Sequence, residues 1–183
     1  MYRVCLQTGD SGRDGTAHYR NPDLLGHVYA GPYVVGEPEL AFVVADEKGV
    51  AGYTFAAEDT RAFEAWAESN WWPTLRAQYP PTEGDSPDAA LIRLLHDPEL
   101  APEPILADYP AHLHIDLLPR VQGQGFGRRL IELVLDRLRE REVRGVHLDV
   151  AAENLDAIAF YRHLGFSTQS ADADGELMAL RLS

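Results

Sequence analysis

Cysteine, basic charge and long apolar runs are all scarce in this sequence. Cys5 is the only cysteine among 183 residues, which excludes an internal disulfide framework and a cysteine-based zinc site. No apolar run approaches the length of a membrane span, and residues 1–10 lack the apolar region of a signal peptide. We therefore expect a cytoplasmic protein without a membrane partner.

The charge balance is strongly acidic. Sixteen Lys and Arg residues stand against 29 Asp and Glu residues, which gives a net charge of −13. Affinity for nucleic acid comes mainly from cations that neutralise phosphates, so the sequence argues against a nucleic-acid partner. At 45% hydrophobic and 25% charged residues the chain can still build a core. Its length predicts one domain, residues 1–183, with room for one large insertion.

Alternation and turn residues predict the elements of the N-terminal part. Residues 1–6 alternate and are rich in strand formers, which predicts a first strand. A polar, glycine-containing loop over 8–20 and a short helix through about Tyr29 follow. Two apolar runs, 40–45 and 50–55, flank a short glycine-containing turn and predict a β-hairpin.

The segment from about 58 to 109 is predicted to be a helical insertion between the third and fourth strands. Helical patterns over 60–71 and 88–96 are separated by a proline-rich loop. The segment also contains all three tryptophans, which are Trp66, Trp71 and Trp72. Long structured insertions are commonly functional, so we expect this one to cover one side of a cleft.

From Ala111 onward the chain alternates between strands and helices. The predicted order is strand, glycine-rich turn, helix, strand, helix and two strands. The ranges are 111–118 and 146–150 for the first two strands, 126–141 and 155–163 for the helices, and 177–182 for the last strand. This order predicts an α/β (α+β) fold with some parallel strand pairing.

The turn between residues 118 and 126 has the features of an anion-binding site. Three glycines, at 123, 125 and 127, leave room for backbone N–H groups to converge on an anion. The N-terminus of the following helix adds about half a positive charge, and Arg120 and Arg128 lie nearby in the sequence. The residues after the glycines fit neither a Walker loop nor a dinucleotide-binding fingerprint. A glycine-rich turn that serves only packing is the alternative.

Two motifs resemble signatures of the GNAT superfamily of N-acetyltransferases. The first, Gln-x-x-Gly-x-Gly over 122–127, is similar to the superfamily's loop for the pyrophosphate of acetyl-CoA. The second, Asn-x-x-Ala-x-x-Phe-Tyr-x-x-x-Gly-Phe over 154–166, follows in the expected order. The resemblance implies the GNAT fold, a mixed, splayed sheet flanked by helices, with acetyl-CoA inserted between its two central strands.

Other runs resemble the acetyltransferase-like C-terminal domain of metazoan O-GlcNAcase. They are residues 45–53, Trp72-Pro73 with Tyr79, and residues 106–110. That domain is generally regarded as a pseudo-acetyltransferase with a degraded loop, whereas this chain keeps the glutamine and glycines of 122–127. The resemblance therefore implies a stand-alone relative of bacterial type that still binds acetyl-CoA.

The resemblance also assigns the acetyl-CoA site. The backbone N–H of Leu117 is expected to face the thioester carbonyl, near a break in the strand. The expected cofactor-binding residues are Leu117, Leu118, Pro119, Gln122, Gly123, Gln124, Gly125, Phe126, Gly127, Arg128, Asn154, Ala157, Phe160 and Tyr161.

Two proton-transfer roles complete the expected site. Tyr161 matches the position that often protonates the sulfur of CoA, although its spacing also allows a packing role beside Phe160. The strand glutamate that serves as base in some relatives is absent, because Ala111 stands there. The candidates for the general base are Asp116, Asp149, His114 and Tyr53. We favour Asp116, which adjoins Leu117, and Asp149.

His112, His114 and Asp116 share one face of a predicted strand and also have metal-ligand spacing. No strong fourth ligand accompanies them, so we expect no metal.

Together these features predict an acetyl-CoA-dependent N-acetyltransferase that transfers its acetyl group directly to an amine in a ternary complex. No acyl-enzyme is expected, because Cys5 lies far along the chain from the motifs. The acceptor is a small-molecule amine or a protein lysine, and the protein is a monomer or a homodimer. The alternative is a catalytically weak or silent pseudo-acetyltransferase that binds acyl-CoA or a peptide.

Overall fold

A computed structural model describes residues 1–182 and contains one six-stranded sheet with helices on both faces. The strands are β1 (Ala41–Asp46), β2 (Gly49–Ala57), β3 (Ala111–Leu117), β4 (Gly145–Ala151), β5 (Ser167–Ala171) and β6 (Gly175–Arg181). The helices are α1 (Tyr2–Thr8), α2 (Leu24–Tyr29), α3 (Gly31–Gly36), α4 (Thr60–Asn70), α5 (Trp72–Gln78), α6 (Pro87–His96), α7 (Glu103–Leu106), α8 (Phe126–Glu140) and α9 (Leu155–His163). Among these helices none is both long enough and apolar enough to cross a membrane.

The N-terminal segment differs from its prediction, because residues 1–6 belong to helix α1 and not to a strand. Val4, Cys5, Leu6 and Thr8 are buried, and the spacing of Val4, Cys5 and Thr8 fits one face of a helix. A six-residue segment is too short to separate helical from strand periodicity, which explains the wrong prediction. The hairpin therefore supplies β1 and β2, and the insertion lies between β2 and β3 instead of between a third and a fourth strand.

The insertion folds into four helices, α4 to α7. The side chains of Asp59 and Ser86 cap α4 and α6, each by accepting a hydrogen bond from a backbone N–H of the first turn. Arg76 of α5 donates to the carbonyl of Leu95 in α6 at 2.6 Å and thereby ties the two helices together. The predicted helices over 60–71 and 88–96 are confirmed.

The sheet has the strand order β1-β2-β3-β4-β6-β5, and β3 runs parallel to β4. These two strands pair only at Ala111 with Val146 and at His112 with His147. The flanking pairs β2–β3 and β4–β6 continue to the ends of the strands. From residue 113 onward the facing edges of β3 and β4 therefore have no partner strand, and the sheet is splayed as expected.

The two faces of β3 serve different cores. Ala111 and Leu113 pack with the apolar face of α8. His112, His114 and Asp116 point to the opposite face, because successive side chains of a strand alternate. That face is covered by the N-terminal helices and the insertion, so the tertiary structure brings the chemically active face of β3 under these helices.

Candidate active site

The turn between β3 and α8 presents unpaired backbone N–H groups. Gly123 and Gly125 have φ angles of +69° and +82°, in the left-handed region that favours glycine. A Cβ atom at either position would meet no atom within 4 Å, so both residues face open space. Within the described chain, the N–H groups of residues 123–125 donate to no carbonyl. They adjoin the positive end of the α8 dipole, and this arrangement suits a phosphate group.

Two glutamine side chains brace the same turn from within. Gln122 Nε2 donates to the carbonyl of Leu117 at 2.8 Å, and Gln124 Nε2 donates to the carbonyl of Arg120 at 2.8 Å. Because these bonds close the turn on itself, both side chains stabilise the backbone conformation that exposes the N–H groups.

The two arginines expected near the anion differ in their partners. Arg120 Nε donates to Asp46 at 2.7 Å, so this guanidinium is already paired. Arg128 is about half exposed, and its guanidinium lies 3.9 Å from the carboxylate of Glu132. A pair this long and exposed is weak. Of these two cations, Arg128 is therefore the one that can turn toward an anion.

The second motif packs directly against the turn. A Cβ atom at Gly127 would lie 3.2 Å from side-chain carbons of both Leu117 and Phe160, so glycine permits the close approach of α8, β3 and α9. Ala157 and Phe160 are partly buried in the same core. The structure therefore brings the two predicted motifs together at one end of β3.

Asn154 caps α9, since its Oδ1 accepts a hydrogen bond from the N–H of Ala157 at 3.2 Å. We expect Asn154→Ala to lower the free energy of unfolding by about 1 kcal/mol, because that N–H loses its acceptor. Chemical denaturation measures this loss, and an unchanged stability would contradict the capping role. Ser86→Ala, which removes the cap of α6, is the matched control. A weaker affinity for CoA in Asn154→Ala alone would add a cofactor contact to its role.

The backbone of Leu117 faces the gap between β3 and β4. The N–H of Leu118 donates to the carbonyl of Ala51 in β2 at 2.8 Å. Neighbouring N–H groups in a strand point to opposite edges, so the N–H of Leu117 points toward β4. Since β4 does not pair with β3 at this level, the amide is directed into open space between the strands. A carbonyl oxygen placed in the gap would accept its hydrogen bond.

Tyr161 combines a buried ring with a reachable hydroxyl. The ring packs between Phe160 and Phe166 and is 7% exposed. Its hydroxyl has no hydrogen-bond partner in residues 1–182. Every buried polar side-chain atom in these residues has a partner, so the Tyr161 hydroxyl cannot be buried and must reach accessible space. Burial, with a smaller contribution from the charge of Asp116, raises the pKa of Tyr161. The phenol therefore keeps its proton at neutral pH, as a proton donor must.

Asp116 is held by Tyr53, whose hydroxyl donates to Asp116 Oδ2 at 2.5 Å. Burial raises the pKa of Asp116, and the hydrogen bond from Tyr53 opposes that rise. Both residues lie on the helix-covered face of the sheet, where a cavity of about 310 Å³ is lined by Asp116, His114 and Cys5 among others. One carboxylate oxygen of this candidate base is thus already engaged.

Cys5 is distant from the motifs along the chain but close to Asp116 in space, since both line the smaller cavity. Its distance along the chain therefore does not by itself exclude Cys5 from the site. Its side chain is 3% exposed, and burial raises the pKa of its thiol to about 12. A thiol that stays protonated is a poor nucleophile.

A larger cavity, of about 1140 Å³, opens over the same face of the sheet. Its lining includes His112 and His114 of β3 together with His147 and Asp149 of β4. The structure thus brings together the histidine and aspartate side chains that alternation places on one face of two strands. Desolvation raises the pKa of Asp149. Asp116 lines the smaller cavity instead, and His114 borders both.

Tyr33 also belongs to this site, although no sequence motif indicated it. Its hydroxyl lies 2.8 Å from His112 Nε2 and 2.9 Å from His114 Nε2, so it bridges the two histidines. Tyr33 belongs to α3, which lies just beyond the helix predicted to end at about Tyr29. Proline near a helix start is common, and that signal could have found the helix but not the contact.

The residues of β3 that have the spacing of metal ligands make hydrogen bonds in this structure. His112 and His114 direct Nε2 to Tyr33, and Asp116 accepts from Tyr53. Among residues 1–182, no group of three or more histidine, cysteine, aspartate or glutamate side chains is arranged to hold a metal ion.

The insertion forms one wall of the larger cavity, and Trp72 is part of its lining. The other two tryptophans have packing roles. Trp71 Nε1 donates to the carbonyl of His27 at 2.9 Å, and the ring of Trp66 packs against Gly36.

Comparison with known proteins relates this architecture to a family. The model of the acetyltransferase (GNAT) family matches residues 18–166. The crystal structure of SsHAT superposes with a TM-score of 0.91 at 41% sequence identity, and the match covers 100% of this chain and 92% of that one. The crystal structure of PH1933 from Pyrococcus horikoshii OT3 has a TM-score of 0.61 at 16% identity and covers 98% and 88%, respectively, which shows a shared fold.

Two of the curated relatives are longer proteins than this chain. Protein O-GlcNAcase of Rattus norvegicus is 24% identical over 169 residues, which are 90% of this chain and 18% of that protein. Mycothiol acetyltransferase of Corynebacterium glutamicum (strain R) is 26% identical over 168 residues, which are 90% and 54%, respectively. The chain therefore spans about a fifth and about half of these relatives. The resemblance to a region of O-GlcNAcase that the sequence indicated is confirmed.

Proposed function

The chain belongs to the acetyltransferase (GNAT) family, and we propose that it transfers the acetyl group of acetyl-CoA directly to an amine acceptor in a ternary complex. One observation carries this proposal. The turn with unpaired amides at residues 123–125 lies at the end of β3 where β3 and β4 separate, so an anion site and an open strand edge are continuous.

The turn and the gap fit the two ends of acetyl-CoA. A pyrophosphate requires N–H donors and positive charge, which residues 123–125 and the N-terminus of α8 provide. An extended pantetheine arm requires backbone partners, which the unpaired edge of β3 provides in the manner of an added strand. The open space beside Gly123 and Gly125 leaves room for the ligand to approach the backbone.

Acetyl-CoA would supply the activated acetyl group, and this chain's residues would orient it and move protons. We assign to the N–H of Leu117 the binding of the thioester oxygen, where negative charge develops during attack. We assign to the Tyr161 hydroxyl, which is protonated at neutral pH, the donation of a proton to the departing sulfur. Asp116 and Asp149 are proposed acceptors of the amine proton, from the smaller and the larger cavity respectively.

We further propose that the acceptor is a cationic amine that enters the larger cavity. Two arginines in the lining, Arg61 and Arg76, are paired with glutamates. The six carboxylates in the lining are Glu64, Glu68, Asp97, Glu99, Glu103 and Asp149. The excess of negative charge raises the local concentration of cationic amines. The volume of about 1140 Å³ exceeds that of most small-ligand sites, so an amine on a larger molecule, such as a protein lysine, also fits.

Calorimetry with CoA and acetyl-CoA, followed by an assay of free thiol release, tests the proposal. We expect saturable binding of both ligands, and thiol release with at least one amine from a panel of spermidine, glucosamine and a lysine-containing peptide. Mass spectrometry of the acetylated amine separates transfer from thioester hydrolysis. Absence of CoA binding would overturn the proposal. Binding without transfer to any amine would favour the pseudo-acetyltransferase.

A further inference from the structure

The hydrogen bonds around His112 have a defined direction. Thr60 Oγ1 lies 2.7 Å from the carbonyl oxygen of Pro110 and 2.8 Å from His112 Nδ1. Two oxygens at 2.7 Å need a hydrogen between them, and a carbonyl has none, so the hydroxyl donates to Pro110. The Thr60 oxygen must then accept a hydrogen from His112 Nδ1. Burial lowers the pKa of His112, so the ring is neutral and its Nε2 carries a lone pair.

The same reasoning extends through Tyr33 to His114. The Tyr33 hydroxyl has one hydrogen and lies between two Nε2 atoms. Because His112 Nε2 can only accept, Tyr33 donates to it. Tyr33 then accepts from His114 Nε2, which must carry a hydrogen. Burial also lowers the pKa of His114, to about 4, so its ring is neutral and its Nδ1 is a free lone pair.

His114 Nδ1 faces accessible space. This nitrogen has no hydrogen-bond partner among residues 1–182. Because every buried polar side-chain atom in these residues has a partner, His114 Nδ1 is not buried. His114 borders both cavities, including the one proposed for the acceptor. His147 differs, because its Nδ1 donates to the carbonyl of Tyr109 at 2.8 Å and the carbonyl of Ala111 also interacts with its ring.

We propose that His114 is a general base of the acetyl transfer, and that Thr60, His112 and Tyr33 are positioning residues that hold it in the tautomer with Nδ1 unprotonated. This inference rests on the proposed function and adds a base to the two carboxylates proposed above. His114 has an advantage over Asp116, since the lone pair of its Nδ1 is free whereas Tyr53 occupies one oxygen of the carboxylate.

The proton balance of the step is complete. The cationic amine first releases one proton to solvent. The lone pair of the neutral amine then forms the C–N bond with the acetyl carbon, and the C–S bond breaks with its electron pair on sulfur. The proton of the amine passes to His114 Nδ1, and sulfur takes the proton of the Tyr161 hydroxyl. Transfer of a proton from His114 to the Tyr161 phenolate through water restores both groups, so the products are the amide and the free thiol.

The direction of the hydrogen bonds from Pro110 to His114 can be tested without any acceptor by ¹⁵N NMR of the imidazole rings at neutral pH. We expect His114 to carry its hydrogen on Nε2 and His112 to carry its hydrogen on Nδ1. A hydrogen on Nδ1 of His114 would overturn the proposal. Tyr33→Phe keeps the ring that stacks on Phe63 but removes the bridge, so the single tautomer of His114 is expected to be lost.

The catalytic role is tested by the kinetics of the full chain with the amine of the panel that reacts fastest. We expect His114→Gln to lower kcat about a hundredfold, with the affinity for acetyl-CoA unchanged. Tyr33→Phe should lower kcat about tenfold, with the same affinity. In His114→Ala, added imidazole should restore part of kcat, because the cavity admits a small base. His163→Gln, an exposed histidine on α9, is the control and should not differ from the wild type.

The two proposals fail in different ways. A wild-type protein that acetylates an amine, together with an unchanged kcat in His114→Gln, would overturn the base and leave the function intact. A wild-type protein that acetylates no amine of the panel would overturn both. Loss of kcat in His114→Gln with weaker acetyl-CoA binding and no rescue by imidazole would indicate a structural role and contradict the base.

Discussion

Tyr161→Phe is expected to lower kcat by about a thousandfold and to leave the affinity for acetyl-CoA within about threefold of the wild-type value. The variant keeps the ring that packs between Phe160 and Phe166, so the core around α9 is preserved. It removes the hydroxyl, which is protonated at neutral pH and can donate its hydrogen to the departing thiolate. The thiol would then leave without its proton donor, which slows the chemical step and not the binding step.

Steady-state kinetics with thiol detection, together with calorimetry of acetyl-CoA binding, measures this effect. Tyr109→Phe is a matched control, since it also removes a phenol hydroxyl with no hydrogen bond among residues 1–182, and this one lies outside the proposed site. The control should retain wild-type kcat. If Tyr161→Phe also retained it, Tyr161 would be a packing residue of the core and not a proton donor.

The double variant Gly123→Val and Gly125→Val is expected to weaken CoA binding by about a thousandfold. Both residues have positive φ angles that valine rarely adopts, so the turn is expected to change its backbone conformation. The amides would no longer converge on one anion. Loss of two charge-assisted hydrogen bonds at about 2 kcal/mol each corresponds to about three orders of magnitude in Kd.

Gly84→Val is the control for backbone strain. Gly84 has a φ angle of +112°, and a Cβ atom there would also meet no atom within 4 Å, but it lies in the insertion and away from the turn. Each valine should lower the free energy of unfolding by about 1–3 kcal/mol. Calorimetry should show that only the double variant loses affinity for CoA. If the wild type, the double variant and Gly84→Val bound CoA with equal affinity, the turn would have a packing role and would not bind the pyrophosphate.

Features that depend on local chemistry were predicted well from the sequence. The helix over 155–163 has the predicted ends, because the cap at Asn154 and the glycine at 165 act within a few residues. The hairpin and the turn at 122–127 were predicted for the same reason. The strand predicted over 1–6 was wrong, since a six-residue segment is too short to separate the two periodicities and burial against β2 and β3 selects the helix.

Site features that depend on distant contacts could not be derived in this way. Alternation along β3 placed His112 and His114 on one face, but it could not show which ring nitrogen is free. That answer depends on Thr60 and Tyr33, which are separated from the histidines by between 52 and 81 positions in the chain. The proximity of Cys5 to Asp116 is likewise a result of folding.

The amino-acid sequence alone determined the positions of the glycine-rich turn and the second motif, because glycine conformation, helix capping and apolar periodicity are properties of short segments. The tertiary structure alone decided how wide the sheet opens between β3 and β4 and in which direction the hydrogen bonds run from Pro110 to His114. The physical reason is that each donor in this chain of bonds is set by the acceptor beside it, and folding brings those partners together from three separate segments.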